Sequence, residues 1–464
     1  MKRFSVVVMA TAALLASQAR AKSPQEIFAE NSGAMGIVEM NIDAGDGPDK
    51  IVGPGICIHL DQEGRAIFLT TAFGIQTPLD GVSGLTVRPS GLDTKKTPAS
   101  VMGVDPVTGM AFVRTTTATK WTKVQFVGKR SGLKIGQQVV SIGVQNASSG
   151  HEPYLGVAYV SGRVRVPEVL YRVTGGTLTA TCSAVFNLDG KVVGIVARQL
   201  PTTYQMMTQR GQTYVGMTGQ DQKSYFLPID EFADSLASMP SPGAPRRRVW
   251  TGVVSYMPVT DDDAKTYGVK VPAIMLGKVV KGGPADRAGL KERDLVIGLA
   301  GKQLEKFATP SLVGKRFLNQ LQTMAFNGTK QAALTLKRGE KEFSANVALV
   351  PIPKQAYEAE RYICKELGLA FREKVPPDSY TDTSPTASVE GLIVIAAPEK
   401  GPGGRAGVRR GDLLIQINGE TVTTVLGARD LMGKALAGAP SKAIVLMVQR
   451  GDKTYPISVT RTRN

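Results

Sequence analysis

Histidine is the scarcest chemically useful residue here: the 464-residue chain contains two, His59 and His151. An imidazole base or a histidine-built metal site has almost nothing to draw on, and no His-x-x-x-His pair exists. Cysteine is nearly as rare. Cys57, Cys182 and Cys364 are an odd number spread over the whole length with no Cys-x-x-Cys spacing, which excludes a disulfide framework and a zinc ribbon. Buried free thiols are expected instead, above all for Cys57 in the strand-like Gly55-Ile-Cys-Ile-His-Leu60. Aromatic residues make up 6% and do not interleave the one compact basic run, Arg246-Arg247-Arg248, which argues against specific nucleic-acid binding. No glycine loop leads into Lys-Ser or Lys-Thr, so a phosphate cradle is absent and no cofactor is expected. Past the first 21 residues, no apolar run approaches the roughly 18 residues of a membrane span.

What is present is a globular composition, 42% hydrophobic with 51 glycines and 27 prolines, long enough for about three domains. The formal charge of +17 is diffuse and reads as a solvated basic surface facing anionic partners or envelope material. Lys2 and Arg3, the apolar stretch from Phe4 to Ala16 and the small-x-small Ala19-Arg20-Ala21 read as a signal peptide over residues 1–21, with a mature chain from Lys22. The product is expected to be exported, periplasmic or secreted.

An internal repeat organises the second half. Gly283-Pro-Ala-Asp-Arg-Ala-Gly289-Leu-Lys-Glu-Arg-Asp-Leu-Val-Ile297 returns 118 residues later as Gly401-Pro-Gly-Gly-Arg-Ala-Gly407-Val-Arg-Arg-Gly-Asp-Leu-Leu-Ile415. Each copy continues with a helical stretch (Ser311 to Met324; Gly427 to Ala437) and a strand ending in Arg-Gly (339 and 451). The ordered string, with its Asn418-Gly419 turn, resembles PDZ domains of the bacterial type. That resemblance implies binding of extended peptides by strand addition, with a glycine loop capturing a C-terminal carboxylate. The matching loops are Trp250-Thr251-Gly252-Val253 and Leu367-Gly368-Leu369, and Leu318, Leu321, Met324, Leu431, Ala435 and Leu436 are candidates to line apolar pockets. Each groove could instead be filled by the protein itself.

The first half reads as short strands separated by Gly, Pro and Asp turns: Gly55 to Leu60, Ala66 to Thr70, Gly84 to Val87, Met110 to Arg114, Gln138 to Ile142, Val157 to Val164 and Val192 to Ala197. A strand-rich domain followed by two PDZ-like modules resembles the HtrA family of exported serine proteases. The anchors include Asp105-Pro-Val-Thr-Gly109-Met-Ala, Leu133-Lys-Ile-Gly136, Phe186-Asn-Leu-Asp-Gly190 and Leu227-Pro-Ile229. The resemblance implies a mainly β chain with a trypsin-like two-barrel domain, and it locates the catalytic positions. Where the family has its histidine base, this chain has Phe73; for the carboxylate it has Gly109; for the serine it has Thr181, followed by Cys182-Ser183 in place of Gly-Gly. A hydroxyl nucleophile needs an adjacent base, and phenylalanine accepts no proton. The backbone of the oxyanion hole is also expected to depart from its usual form.

The resulting organisation is a signal peptide (1–21), a trypsin-like double β-barrel (22–237), a Pro/Arg linker (238–248), a first PDZ-like domain (249–353), a connecting segment (354–365) whose stretch from Lys354 to Glu366 reads as a short charged helix, and a second PDZ-like domain (366–464). Pro376 to Pro385 reads as a polar surface loop within the second. The function implied is a non-catalytic, exported pseudoprotease that binds peptides, unfolded segments or C-terminal tails as a scaffold, chaperone-like or regulatory protein. It could act as a homo-oligomer or with an active paralogue. Two alternatives stay open: an endopeptidase with a rebuilt site at Cys182 or Thr181, and a structural envelope-binding protein.

Overall fold

The computed structural model describes residues 21–43, 48–71, 82–92, 94–105, 107–196, 202–208, 211–217, 224–240, 247–380 and 389–461. The signal-peptide reading, apart from Ala21, and the Phe73 position lie outside these residues. A helix α1 (Pro24–Asn31), capped by a reciprocal Ser23/Glu26 box, sends Ile27 into the core ahead of the first strand.

Two six-stranded closed barrels follow among the described residues. The first uses β1 (Met35–Asp43), β2 (Pro48–Leu60), β3 (Ala66–Thr71), β4 (Val82–Pro89), β5 (Thr97–Val104) and β6 (Met110–Thr115). The second uses β7 (Gln138–Val144), β8 (Pro153–Arg165), β9 (Val169–Thr174), β10 (Ala184–Phe186), β11 (Val192–Val196) and, after a hairpin of β12 (Thr202–Thr208) and β13 (Gly211–Met217), β14 (Tyr225–Pro228). Counted from its own first strand, each barrel closes in the same cyclic order, 1-2-3-6-5-4. Closure removes the sheet edges and explains why β7, β10 and β11 are almost wholly apolar or small: both faces are covered. One continuous core runs from Ile27 through both barrels to Phe232, just before α2 (Ala233–Ala237). The mainly β, trypsin-like two-barrel class implied by the sequence is the observed one.

The first module contains β15 (Val249–Trp250), β16 (Tyr256–Pro258), α3 (Asp261–Thr266), β17 (Ile274–Leu276), α4 (Pro284–Arg287), β18 (Leu295–Leu299), β19 (Lys302–Gln303), α5 (Pro310–Phe326), β20 (Gln331–Arg338), β21 (Lys341–Ala348) and β22 (Val350–Pro351). The second contains β23 (Arg361–Cys364), β24 (Leu369–Glu373), β25 (Leu392–Ala396), α6 (Pro402–Ala406), β26 (Leu413–Ile417), β27 (Glu420–Thr421), α7 (Val425–Ala437), β28 (Ile444–Arg450) and β29 (Lys453–Val459). Their sheets run β16-β17-β18-β20-β21 and β23-β24-β25-β26-β28-β29.

The repeated motif has a shared physical purpose. Buried Asp294 takes a two-pronged hydrogen bond from Arg338 (2.6 and 2.7 Å) and one from the Lys291 N–H, while Arg338 also donates to Gly289 O at 2.9 Å. Buried Asp412 does the same with Arg450 (2.7 and 2.7 Å), the Arg409 N–H and Gly407 O. The Asp of the repeat is thus held by the Arg of the later Arg-Gly turn, closing each sheet on its short helix.

One local reading is corrected and a second gains detail. Lys354 to Glu366 is not a helix: a turn at 356–358 leads into strand β23, because Tyr362 and Ile363 favour a pleated edge and an available partner lies in β24. The polar stretch from Pro376 begins as a 3-10 turn, Pro376–Ser379, and its Tyr380 stacks on Trp250 of the first module at 5.5 Å. The first module also meets the second barrel, through Arg165 donating to Glu305 at 2.6 Å and through a bond between Asn319 and Glu168.

Candidate functional site

The loop from Gly175 to Ser183 joins β9 to β10 and carries the position matched to the catalytic serine. It is tightly bound. Cys182 sits at φ +66°, donates its N–H to Val196 O at 2.8 Å, and Ser183 donates to Ala180 O at 3.2 Å. A left-handed residue thus survives where the family has glycine, although a cysteine now carries the strain. Its thiol is fully buried and points at the Leu69 carbonyl, 3.8 Å away on β3.

One hydrogen bond bears on the amide expected in the oxyanion hole. Thr179 stands two before the position matched to the nucleophile, and its N–H donates to the Ser141 hydroxyl at 2.9 Å on β7. Thr179 is itself fully buried, and its hydroxyl and that of Ser183 have no hydrogen-bond partner among the described residues. Both crowd Gly143: a methyl there would meet the Ser183 hydroxyl and lie 2.8 Å from Thr179 Cβ. Tyr154 bonds to the Ala180 backbone, and burial raises the pKa of its phenol.

The residues matched to the family's base and carboxylate, Phe73 and Gly109, carry no titratable group. Gly109 is the left-handed end of a turn, φ +72°, whose N–H donates to Asp105 O at 2.8 Å. The neighbouring Asp105 carboxylate is buried and committed, accepting from Val107 N (3.0 Å), Thr108 Oγ1 (2.8 Å) and Ser235 Oγ (2.5 Å). Neither histidine compensates. His59 is exposed on β2 beside a bulge, and His151, in the β7–β8 connection, contacts Gln145 O at 3.3 Å.

The structure places both predicted capture loops against the short helix that follows in each module. In the first, Gly252 is left-handed (φ +87°) and its Cα faces Pro284; Ala285 N donates to Thr251 O at 2.7 Å and Val280 N to Gly252 O at 2.9 Å. Val253 is buried, and Trp250 donates from its indole to Val253 O at 3.1 Å. Thr251 also bonds Tyr256, whose phenol is pushed up to about 12 by burial. Strand β16 pairs with β17 on one side, and no described strand pairs with its other edge. Val254 and Met257 near it and Leu318 on α5 remain exposed, at 44%, 40% and 37%. Leu321 belongs to the core and Met324 is half-buried, so only Leu318 of the three candidates on this helix is open to a ligand.

In the second module Leu367 and Leu369 are buried and Gly368 is left-handed (φ +62°), with Gly403 N donating to Leu367 O at 2.8 Å. Here the outer edge of β24 is paired, residue for residue, with β23. Leu431, Ala435 and Leu436 pack against the module's core. Sequence reasoning missed three participants: Ser141, the Trp250–Tyr380 stack and β23. None of the three left a local mark: the run Arg361-Tyr362-Ile363-Cys364 is too short to show a period.

Comparison with known proteins agrees with this geometry. A PDZ domain model matches residues 394–450. Probable periplasmic serine endoproteases described as DegP-like align over much of the chain. The one from Hahella chejuensis is 26% identical over 381 residues, covering 78% of this chain and 73% of that one. Those from Pseudomonas fulva and Chlamydia trachomatis are 27% and 24% identical, covering 72% and 78% of this chain and 65% and 66% of theirs. Solved structures of the HtrA-type protease AlgW with a decapeptide match at TM-scores of 0.51 and 0.50, with 16% and 15% identity, covering 72% of this chain and 99% and 100% of those chains. Twin barrels of common strand order, a PDZ module and these relatives together make the chain similar to HtrA-type, PDZ-bearing proteases.

Proposed function

We propose that this chain is an exported, non-catalytic member of its family that holds polypeptide segments without cutting them. The observation that carries this reading is the internal capping of Thr179 N–H by Ser141, beside a nucleophile position occupied by Thr181. Acyl transfer needs a base to activate the nucleophile and free donors for the oxyanion. The two imidazoles of the chain lie elsewhere, and one of the amides matched to the hole is already bonded. A buried thiol held against the Leu69 carbonyl makes Cys182 a poor substitute nucleophile. Holding is supplied by the PDZ-like modules, through strand addition at a sheet edge and apolar pockets, with affinities on the order of micromolar. Misfolded envelope proteins, C-terminal tails or an active paralogue in a shared oligomer are the partner classes.

The test is degradation of casein by residues 22–464 beside Cys182→Ala and Thr181→Ala. All three are expected to leave casein intact while the unmodified chain still binds unfolded protein. Cutting that either substitution abolishes would overturn the reading.

A further inference from the structure

The two modules differ at the edge where a peptide would dock. In the first, the strand after the capture glycine starts the sheet and its outer edge carries no described strand. In the second, β23 lies antiparallel on that same edge of β24, with Arg361 opposite Arg372, Tyr362 opposite Phe371, Ile363 opposite Ala370 and Cys364 opposite Leu369. This is the geometry of strand addition, made by the chain's own residues.

The side chains follow the period of two that a docked peptide would show. Cys364 is completely buried in the module's core. Tyr362 packs against that core, stacks on Phe371 at 6.2 Å and lies under the Arg429 guanidinium of α7 at 5.9 Å. Ile363, between them, faces outward and is 41% exposed. The capture loop is used up as well: Gly368 N–H donates to Lys365 O at 3.1 Å to turn the hairpin.

We propose that β23 is a built-in ligand of the second module, with Tyr362 and Cys364 filling the side-chain positions of a docked peptide, so that capture by this chain runs through the first module alone. The inference rests on the peptide-holding reading and deepens it by assigning the working groove. In the first module the free edge of β16 is then the one offered to a partner's extended C-terminal segment, with Leu318 exposed on α5.

The test uses residues 22–464 and fluorescein-labelled decapeptides with a free C-terminal Val, Leu or Phe. Anisotropy gives the stoichiometry, and amide hydrogen exchange follows 253–258 and 361–373 separately. One site per chain is expected, with protection gained at 253–258 and with 361–373 already slow before peptide is added. Protection gained at 369–373, or rapid exchange of 361–364 in the free protein, would overturn the proposal. In the double variant Tyr362→Ser, Cys364→Ser the stoichiometry should rise from one to two; a freed β24 edge that takes no peptide would also overturn it. Should the double variant lose its fold, the exchange pattern of the unmodified chain decides alone. A protein that binds none of the probes but keeps 361–373 slow contradicts the peptide-holding reading and leaves the closure standing, so the two ideas fail separately.

Discussion

The two PDZ-like modules share an internal frame and differ at one edge. Both tie the Asp of their repeat to an Arg in the later turn with nearly identical bonds, and both seat a left-handed glycine against a short helix that opens with Gly-Pro. The difference lies just upstream. In the first module the residues before the glycine pair with β22 at the far end of the domain; in the second they fold back as β23 onto β24. A repeat can therefore preserve the core of a domain while four residues outside the repeated string decide whether its groove is available.

The largest effect should come from breaking the common frame. Arg450→Ala strands the buried Asp412 carboxylate and should cost about 3 kcal/mol, and Arg338→Ala should do the same to Asp294. Urea unfolding followed by exchange in each module would read both losses, and a loss confined to one module would end the claim of a shared frame. Next, a charge on the open groove separates the modules. Leu318→Glu should weaken labelled-peptide binding about tenfold, on the order of 1.4 kcal/mol, whereas Leu426→Glu on α7, 63% exposed, should leave it unchanged. Equal losses would mean that both grooves are in use.

The contact between modules should respond more weakly. Tyr380→Ala removes a near-parallel stack on Trp250 worth about 1 kcal/mol, and a shifted Trp250 emission would report it. The same contact is expected to respond to acid. Burial raises the pKa of the Asp378 carboxyl, but bonds from Arg372 (2.7 and 2.7 Å) and Val375 N outweigh this and hold it below its ordinary 3.8. The brace is complete above 3.8 and is lost as pH falls through the lower folded value. Asp378→Asn should bring the emission change to neutral pH. Smallest of all, Ser183→Ala deletes an unpartnered buried hydroxyl and should be neutral or stabilise the barrel by up to about 1 kcal/mol in urea titrations.

Much of this was legible in the residues. The repeat announced two similar modules, and strand runs such as Met110 to Arg114 and Gln138 to Ile142 fall inside observed strands because both faces are buried and the turns are marked by Gly and Pro. Helices α5 and α7 contain the predicted stretches from Ser311 and Gly427. Strand β23 was hidden by its neighbours: Glu358, Glu360, Lys365 and Glu366 surround a four-residue run too short to show periodicity. Tyr380 sits in a polar stretch whose composition says nothing of a partner 130 positions earlier. The capping of Thr179 by Ser141 depends on the loop before β10 meeting strand β7, 38 residues earlier, which no local pattern encodes.

The crowding around Gly143 locks the loop that carries position 181, since a side chain at 143 would collide with Thr179 and Ser183. An anion drawn to the Thr179 amide would first have to displace the Ser141 hydroxyl, so changing residue 181 alone leaves that donor occupied.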